Sequence, residues 1–117
     1  MSDGIRVLII DDEPDHADAA AEALARAGHE CLVAYSAEEG LNHIRRGNVH
    51  VIVTDLVLRA EIDGMDILRR SLETLDDVEV IILTGHGTIP SAVQAIQQGA
   101  VSYLTKPINV EELRAVV

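Results

Sequence analysis

The 117-residue chain has no Phe and no Trp, and its only aromatic residues are Tyr35 and Tyr103. Any core it builds must therefore be aliphatic. One cysteine, Cys31, excludes an internal disulfide and any multi-cysteine metal site. It sits in an apolar run and reads as a small buried hydrophobe. Basic residues are scarce: 9 Lys and Arg stand against 20 Asp and Glu, for a net charge of −11. A phosphate backbone or an anionic membrane needs a positive surface, so direct nucleic-acid or membrane binding is not expected. No apolar stretch approaches the ~20 residues of a membrane span, and no signal-peptide pattern is present. These absences point to a soluble, cytoplasmic domain. Apolar residues make up 48% of the chain, enough for a core and too many for a disordered acidic tail.

Strand and helix patterns alternate along the chain. The runs IRVLII (5–10), VHVIVT (49–54) and VEVIIL (78–83) are short, β-branched and mostly apolar, as suits parallel strands buried on both faces. ECLVAY (30–35) is weaker and reads as an edge strand; VSYLT (101–105) is a fifth. Pro14 to Ala27 is alanine-rich and stops at Gly28, the pattern of a first helix. Ser36 with Glu39 has the spacing of a capping box and opens a second, which buries Leu41 and Ile44 and ends near Gly47. Met65, Leu68, Leu72 and Leu75 form the expected inner stripe of a third helix, and Ile89, Val93, Ile96 and Ala100 that of a fourth. Asn109 is the expected cap of a fifth, with Val110, Leu113 and Val117 inward. The result is an α/β domain, (βα)5, a parallel sheet with helices on both faces. It occupies residues 1–117 as one unit. The fifth helix shows no stop signal, which suggests a longer polypeptide.

The polar residues fall at strand ends. Asp11 and Asp12 follow the first strand, Asp55 the third, Thr84 closes the fourth and Lys106 follows the fifth. In a parallel sheet all carboxyl ends share one edge, where open α/β sheets bind ligands. Three carboxylates, a hydroxyl and an ammonium should therefore converge. Like charges at ~4 Å and an effective dielectric of ~20 repel by about 4 kcal/mol per pair, so the cluster takes up a proton or a cation. Oxygen-only ligands favour Mg²⁺ or Ca²⁺, and Mg²⁺ suits a site completed by a phosphoryl group. A carboxylate beside a metal, a lysine and a hydroxyl can accept a phosphoryl group and become an aspartyl phosphate. Taken singly, each residue has an ordinary explanation: an Asp after a strand is often a helix cap, and Lys-Pro is often a turn.

The motifs LIIDDE, VIVTDL, IILTGHG and YLTKP resemble, across essentially the whole chain, the receiver domain of two-component response regulators. TGHGTIPSAVQAIQQGA resembles further the receivers of NtrC-type activators, which drive σ54-dependent promoters. The resemblance implies a flavodoxin-like three-layer sandwich with strand order 2-1-3-4-5, an order for which a receiver protein is itself a known example. It implies that Asp55 is the phosphoacceptor, Asp12 a direct Mg²⁺ ligand, and Asp11 a second acid acting through water. The Val57 backbone carbonyl would be a further ligand to the ion. By the same resemblance Lys106 pairs with the phosphoryl group, Thr84 and Tyr103 are switch residues, and Gly85 leaves room beside Thr84. The Lys106–Pro107 bond would be cis. A sensor histidine kinase would be the phosphoryl donor and transcription the output.

One segment departs from the family pattern. Leu58-Arg59 replaces Met-Pro, and Gly64 stands nine positions after Asp55 rather than eight. The loop is one residue longer and lacks its proline, which leaves its conformation open. Val57 has no group to position water, so slow loss of phosphate is expected, with His86 the nearby candidate to speed it. His16, His29, His43 and His50 lack metal-ligand spacing and read as structural or solvated. Asp15 and Asp18 suit the N-terminal half of the first helix. Three alternatives stand beside the receiver reading: a phosphorylation-independent interaction module, a stand-alone receiver, and a haloacid dehalogenase-type Mg²⁺ phosphohydrolase. The last needs a nucleophile and an acid/base separated by one residue after the first strand, and Asp11-Asp12-Glu13 does not supply it. The domain is thus read as a switch, not a turnover enzyme. From Thr88 to Ser102 there is no charged residue. That neutral stretch suggests a homodimer through the face of the fourth helix, fifth strand and fifth helix, with Ser91, Gln94, Gln97 and Gln98 outward.

Overall fold

In a computed structural model, residues 5–58, 61–85, 89–106 and 109–117 are described. Five strands and five helices alternate: β1 (Arg6–Ile10), α1 (Pro14–Arg26), β2 (Glu30–Ala34), α2 (Ala37–Arg46), β3 (Val51–Asp55), α3 (Gly64–Thr74), β4 (Glu79–Thr84), α4 (Ile89–Gln97), β5 (Ser102–Thr105) and α5 (Val110–Val116). The strands pair in parallel in the order β2-β1-β3-β4-β5, with β2 at the expected edge. Strand side chains alternate between faces, which divides the core in two. Leu8, Ile10, Ile52, Val80 and Ile82 pack with α2 and α3 residues on one side. Val7, Ile9, Val51, Val53, Ile81, Leu83 and Leu104 pack on the other, with Ala17, Ala20 and Leu24 of α1 and Leu113 of α5.

Local signals set the helix ends. The Ser36 hydroxyl accepts from the Glu39 amide at 3.1 Å, and the Asn109 side chain accepts from the Glu112 amide at 3.0 Å. Asp63 and Asp66 form a reciprocal capping box at the start of α3. Gly28 and Gly47 end α1 and α2 with φ of 95° and 73°, a backbone region in which a side chain would be strained.

Two helices bury a different stripe from the expected one. In α3 the inward residues are Gly64, Ile67, Leu68 and Ser71. Leu72 turns outward and is 40% exposed, while Met65 and Leu75 pack only partly. Ser71 can lie in the core because its hydroxyl donates to the Ile67 carbonyl at 2.6 Å. In α4 the inward side chain is Ala95. Ile89, Val93 and Ile96 are exposed, at 82%, 48% and 49%. Ser91, expected outside, is half-buried, and its hydroxyl lies 2.7 Å from the Tyr103 hydroxyl. A small residue lets the helix approach the sheet closely, and hydropathy alone had assigned the larger side chains to that place. Gln94, Gln97 and Gln98 are exposed as expected. Cys31 is half-buried rather than buried, and burial pushes its thiol above the ordinary range. The expectations for His86, for the Lys106–Pro107 bond and for the Val110 side chain lie outside the described residues.

Candidate functional site

The sheet register delivers the polar residues to one edge. Ile10 pairs with Ala34 and Thr54, and the ladder runs one residue further through the Asp11 amide, which donates to Ala34 at 3.1 Å. Asp55 is the last residue of β3, and Thr84, the last of β4, pairs with Thr105. Lys106 follows at once, its amide donating to the Thr84 carbonyl at 2.8 Å. Asp11 and Asp55 are thus level, Lys106 stands two residues further along, and the three side chains meet at the same edge.

The Lys106 ammonium bridges two carboxylates, donating to Asp11 Oδ2 and to Asp55 Oδ2 at 2.8 Å each. Asp11 and Asp55 are only 3% and 8% exposed. Their other oxygens hold backbone: Asp11 Oδ1 accepts from the Glu13 amide at 2.9 Å, and Asp55 Oδ1 from the Val57 amide at 3.2 Å. Buried charges persist when paired and hydrogen-bonded in this way. Partial burial works against the Lys106 ammonium, but its hydrogen bonds to Asp11 and Asp55 and their negative charges outweigh that effect and hold it above the usual lysine range.

A cavity of about 280 Å³ opens over Asp55, lined by Asp12, Glu13, His16, Val57, Gly85 and Lys106. Thr84 is fully buried, whereas its neighbour Gly85 lines the cavity. Oxygen atoms of Asp11, Asp12 and Asp55 lie within 4.8 Å of one another. Three oxygens at that spacing, without nitrogen or sulfur, fit a hard divalent cation.

The longer loop keeps its contacts with this edge. Leu58 is 3% exposed and packs in the core where the family pattern has methionine. The Gly64 amide donates to the Leu56 carbonyl at 2.8 Å. A Cβ on Gly64 would collide with the Asp55 carbonyl oxygen and come within 2.8 Å of Leu56 Cα. Gly64 therefore lets α3 start directly against the backbone that carries Asp55.

Tyr103 is half-buried in β5 and tied to α4 through Ser91. Sequence reasoning missed Ser91, and no periodicity signals it. It also read His16 as structural or solvated, yet His16 lines the cavity and places Nδ1 3.1 Å from Lys106 Nζ. The signal was available: α1 starts at the site, so first-turn residues three apart, Glu13 and His16, face it together.

A five-stranded parallel sheet of order β2-β1-β3-β4-β5 between helices, with an acidic cluster and a lysine at its carboxyl edge, is a flavodoxin-like domain with a site suited to a divalent cation. The chain matches the response regulator receiver domain over residues 7–117 and belongs to that family. It is similar to the transcriptional regulatory protein GlrR of Escherichia coli, 37% identical over 107 residues, covering 92% of this chain and 24% of that protein. A crystal structure of NtrX from Brucella abortus in complex with ADP superposes with a TM-score of 0.89 at 31% identity, covering 97% of this chain and 26% of that one. A response regulator from Burkholderia pseudomallei, solved with a phosphorylated aspartic acid, a calcium ion and citrate, superposes at 0.88 with 32% identity, covering 96% and 65%. Within the family the chain is of the NtrC-like kind. It spans about a quarter of the length of the curated relatives it matches.

Proposed function

We propose that this receiver takes a phosphoryl group from a sensor histidine kinase onto Asp55 and uses it to switch the face of α4, β5 and α5. The supporting observation is the position of Lys106, 2.8 Å from both Asp11 and Asp55 at the floor of a cavity that also holds Asp12. In the transfer, the phosphorus–nitrogen bond of the donor's phosphohistidine breaks. A bond from an Asp55 carboxylate oxygen to phosphorus forms, and the histidine nitrogen leaves with the bonding pair. Asp11, Asp12, Asp55 and the Val57 carbonyl would hold Mg²⁺, which supplies charge neutralisation at the transferring oxygens. Lys106 is already aimed at the carboxylate and pairs with the new dianion. Gly85 offers no side chain to fill the space above Asp55.

Thr84 and Tyr103 carry the switch in this reading. Phosphorylation replaces the single carboxylate charge of Asp55 with a bulkier phosphoryl group carrying up to two, a net gain of about one negative charge further out from the edge, and the Thr84 hydroxyl moves toward it. The tie between Tyr103 and Ser91 then gives α4 two positions to choose between. The exposed face of Ile89, Val93, Ile96 and the nearby Val101 is apolar and uncharged on a chain of net charge −11. A second copy can approach it without the repulsion other faces impose. The domain is a cytoplasmic regulatory unit of a larger, NtrC-like transcriptional activator at σ54-dependent promoters, and contacts no nucleic acid itself. Among the described residues no helix is long and apolar enough to cross a membrane.

The altered loop is the feature that would favour phosphorylation-independent binding. The bonds of Val57 to Asp55 and of Gly64 to Leu56 speak for an intact acceptor instead. Incubation with Mg²⁺ and a small acyl phosphate should add one phosphoryl mass to the wild-type domain and none to Asp55→Asn. Asp12→Ala should lose most Mg²⁺ affinity. Full, persistent phosphorylation of Asp55→Asn ends this reading.

A further inference from the structure

We infer that His16 is a positioning residue of this site: its Nδ1 holds the third proton of the Lys106 ammonium and keeps that group trained on the phosphoacceptor. The inference rests on the phosphoryl-transfer reading above. An ammonium has three protons and no lone pair. Among the described residues three acceptors stand around Lys106 Nζ, Asp11 Oδ2 and Asp55 Oδ2 at 2.8 Å and His16 Nδ1 at 3.1 Å. Because lysine can only donate, Nδ1 accepts in this contact through its lone pair. The same Nδ1 lies 3.3 Å from Glu13 Oε2. A nitrogen accepting from an ammonium has no proton for a carboxylate, so in this arrangement Nδ1 serves Lys106 rather than Glu13.

The consequence concerns what happens when Asp55 is modified. A phosphoryl oxygen replaces the Asp55 oxygen as one of the three acceptors, while Asp11 and His16 keep their bonds. Lys106 then exchanges one partner without searching for a new position, which is how a preorganised donor lowers a barrier. Without His16 the ammonium has one proton free to turn to water, and its four-carbon stem is held by carboxylates alone. His16 also enters the cavity from α1, an element that none of the family-implied ligands occupies. Its side chain is 45% exposed at the rim, so replacing it does not open the core.

The test compares wild type with His16→Ala, His16→Asn and His16→Gln. Asparagine places its Oδ1 where histidine has Nδ1; glutamine carries its amide one carbon further. The rate of Asp55 phosphorylation by a small acyl phosphate with Mg²⁺ should fall about fivefold in His16→Ala, ~1 kcal/mol at ~1.4 kcal/mol per tenfold. Phosphodonor concentration dependence should be unchanged. His16→Asn should recover the rate and His16→Gln should not. Equal rates in all four proteins, or rescue by Gln and not Asn, overturns the inference while leaving Asp55 as acceptor. A second readout is independent of phosphorylation: the ¹⁵N-resolved ammonium signal of Lys106 should be slow to exchange in wild type and His16→Asn and lost to fast exchange in His16→Ala. An unchanged signal in His16→Ala overturns the inference. If wild type takes no phosphoryl group, the reading of the site falls instead, and the ammonium signal still decides the contact.

Discussion

At the carboxyl ends of β1, β3 and β5 buried side chains carry full charges, whereas on α4 apolar side chains face water. Asp11 and Asp55 are nearly sealed from solvent, and Lys106 joins them. Ile89, Val93 and Ile96 are between about half and four-fifths open. Each region inverts the usual partition of residue types, and each inversion has a cause. The charges tolerate burial because every one is matched, by an opposite charge or a backbone amide. The apolar residues remain outside because α4 docks through small ones. Helices α1, α2 and α3 each bury four residues; α4 buries Ala95. One buried methyl is worth on the order of 1 kcal/mol, so among the described residues α4 has a smaller buried face than α1, α2 or α3, with Ala95 fully inward and Ser91 and Ala92 half-buried beside it. In the proposed switch, the closely paired charge cluster would be the input and the helix with the small buried face the output.

The largest effect should come from breaking the charge match. Lys106→Met leaves Asp11 and Asp55 facing each other without their cation and should cost about 3 kcal/mol in urea unfolding at neutral pH. Mg²⁺ should restore part of that loss, since a cation bound only to the folded state stabilises it. The pH dependence has a definite sign. Pairing raises the ammonium above its ordinary value of 10.5, so its contribution is complete below that value and is lost as pH climbs through the raised one. The gap between wild type and variant should therefore close on the alkaline side. A gap absent at neutral pH, or one that widens in alkali, would break the comparison.

The next effect sharpens the rigid half. Gly64→Ala puts a Cβ into the Asp55 and Leu56 backbone, which cannot rotate away, and should cost about 2 kcal/mol. Gly85→Ala is the control: its Cβ would meet Lys106 Cβ and Cδ at 3.9 Å, ordinary contact, with a change below ~0.5 kcal/mol. Similar losses at both positions would show that the loop after β3 yields, and that this edge is less fixed than its contacts imply.

The contrast also explains what could be read from the residues in order. The five strands were legible because runs such as VIVT and VIIL are apolar on both faces, and their ends lie within two residues of expectation. The convergence of Asp11, Asp12, Asp55 and Lys106 followed from parallel topology alone, since strand ends must share an edge. The α3 and α4 stripes were misread because hydropathy ranks Leu72 and Ile96 above Ser71 and Ala95, while packing rewards small residues at close approach and accepts a serine that bonds its own helix. His16 could have been placed at the site from the first turn of α1, but its partner could not, because Lys106 lies 90 residues away.

A smaller effect tests the tether. Tyr103→Phe removes one hydroxyl pair, Ser91 to Tyr103 at 2.7 Å, and should cost about 1 kcal/mol. Amide exchange in α4 should accelerate while the amides of β1 and β3 keep their protection. Uniform acceleration across the sheet would mean that α4 is no looser than the rest.

The smallest effect on stability belongs to the exposed face. Ile89→Ser with Ile96→Ser removes two large side chains that are 82% and 49% open to solvent. Isoleucine and serine have similar helix propensities, so neither the helix nor the core should suffer, and unfolding should shift by less than ~0.5 kcal/mol per site. Association should respond differently. If this face joins two copies, the phosphorylated double variant should sediment as a monomer under conditions where phosphorylated wild type does not, with Asp55 modified equally in both. Gln94→Glu with Gln98→Glu, which adds charge beside the same stripe on a chain already at −11, should weaken association in the same direction. A stability loss of several kcal/mol in the serine variant would place Ile89 and Ile96 in the core and erase the contrast with the buried charges. Unchanged stability with unchanged self-association would leave the helix loosely held but assign the contact between copies to another surface.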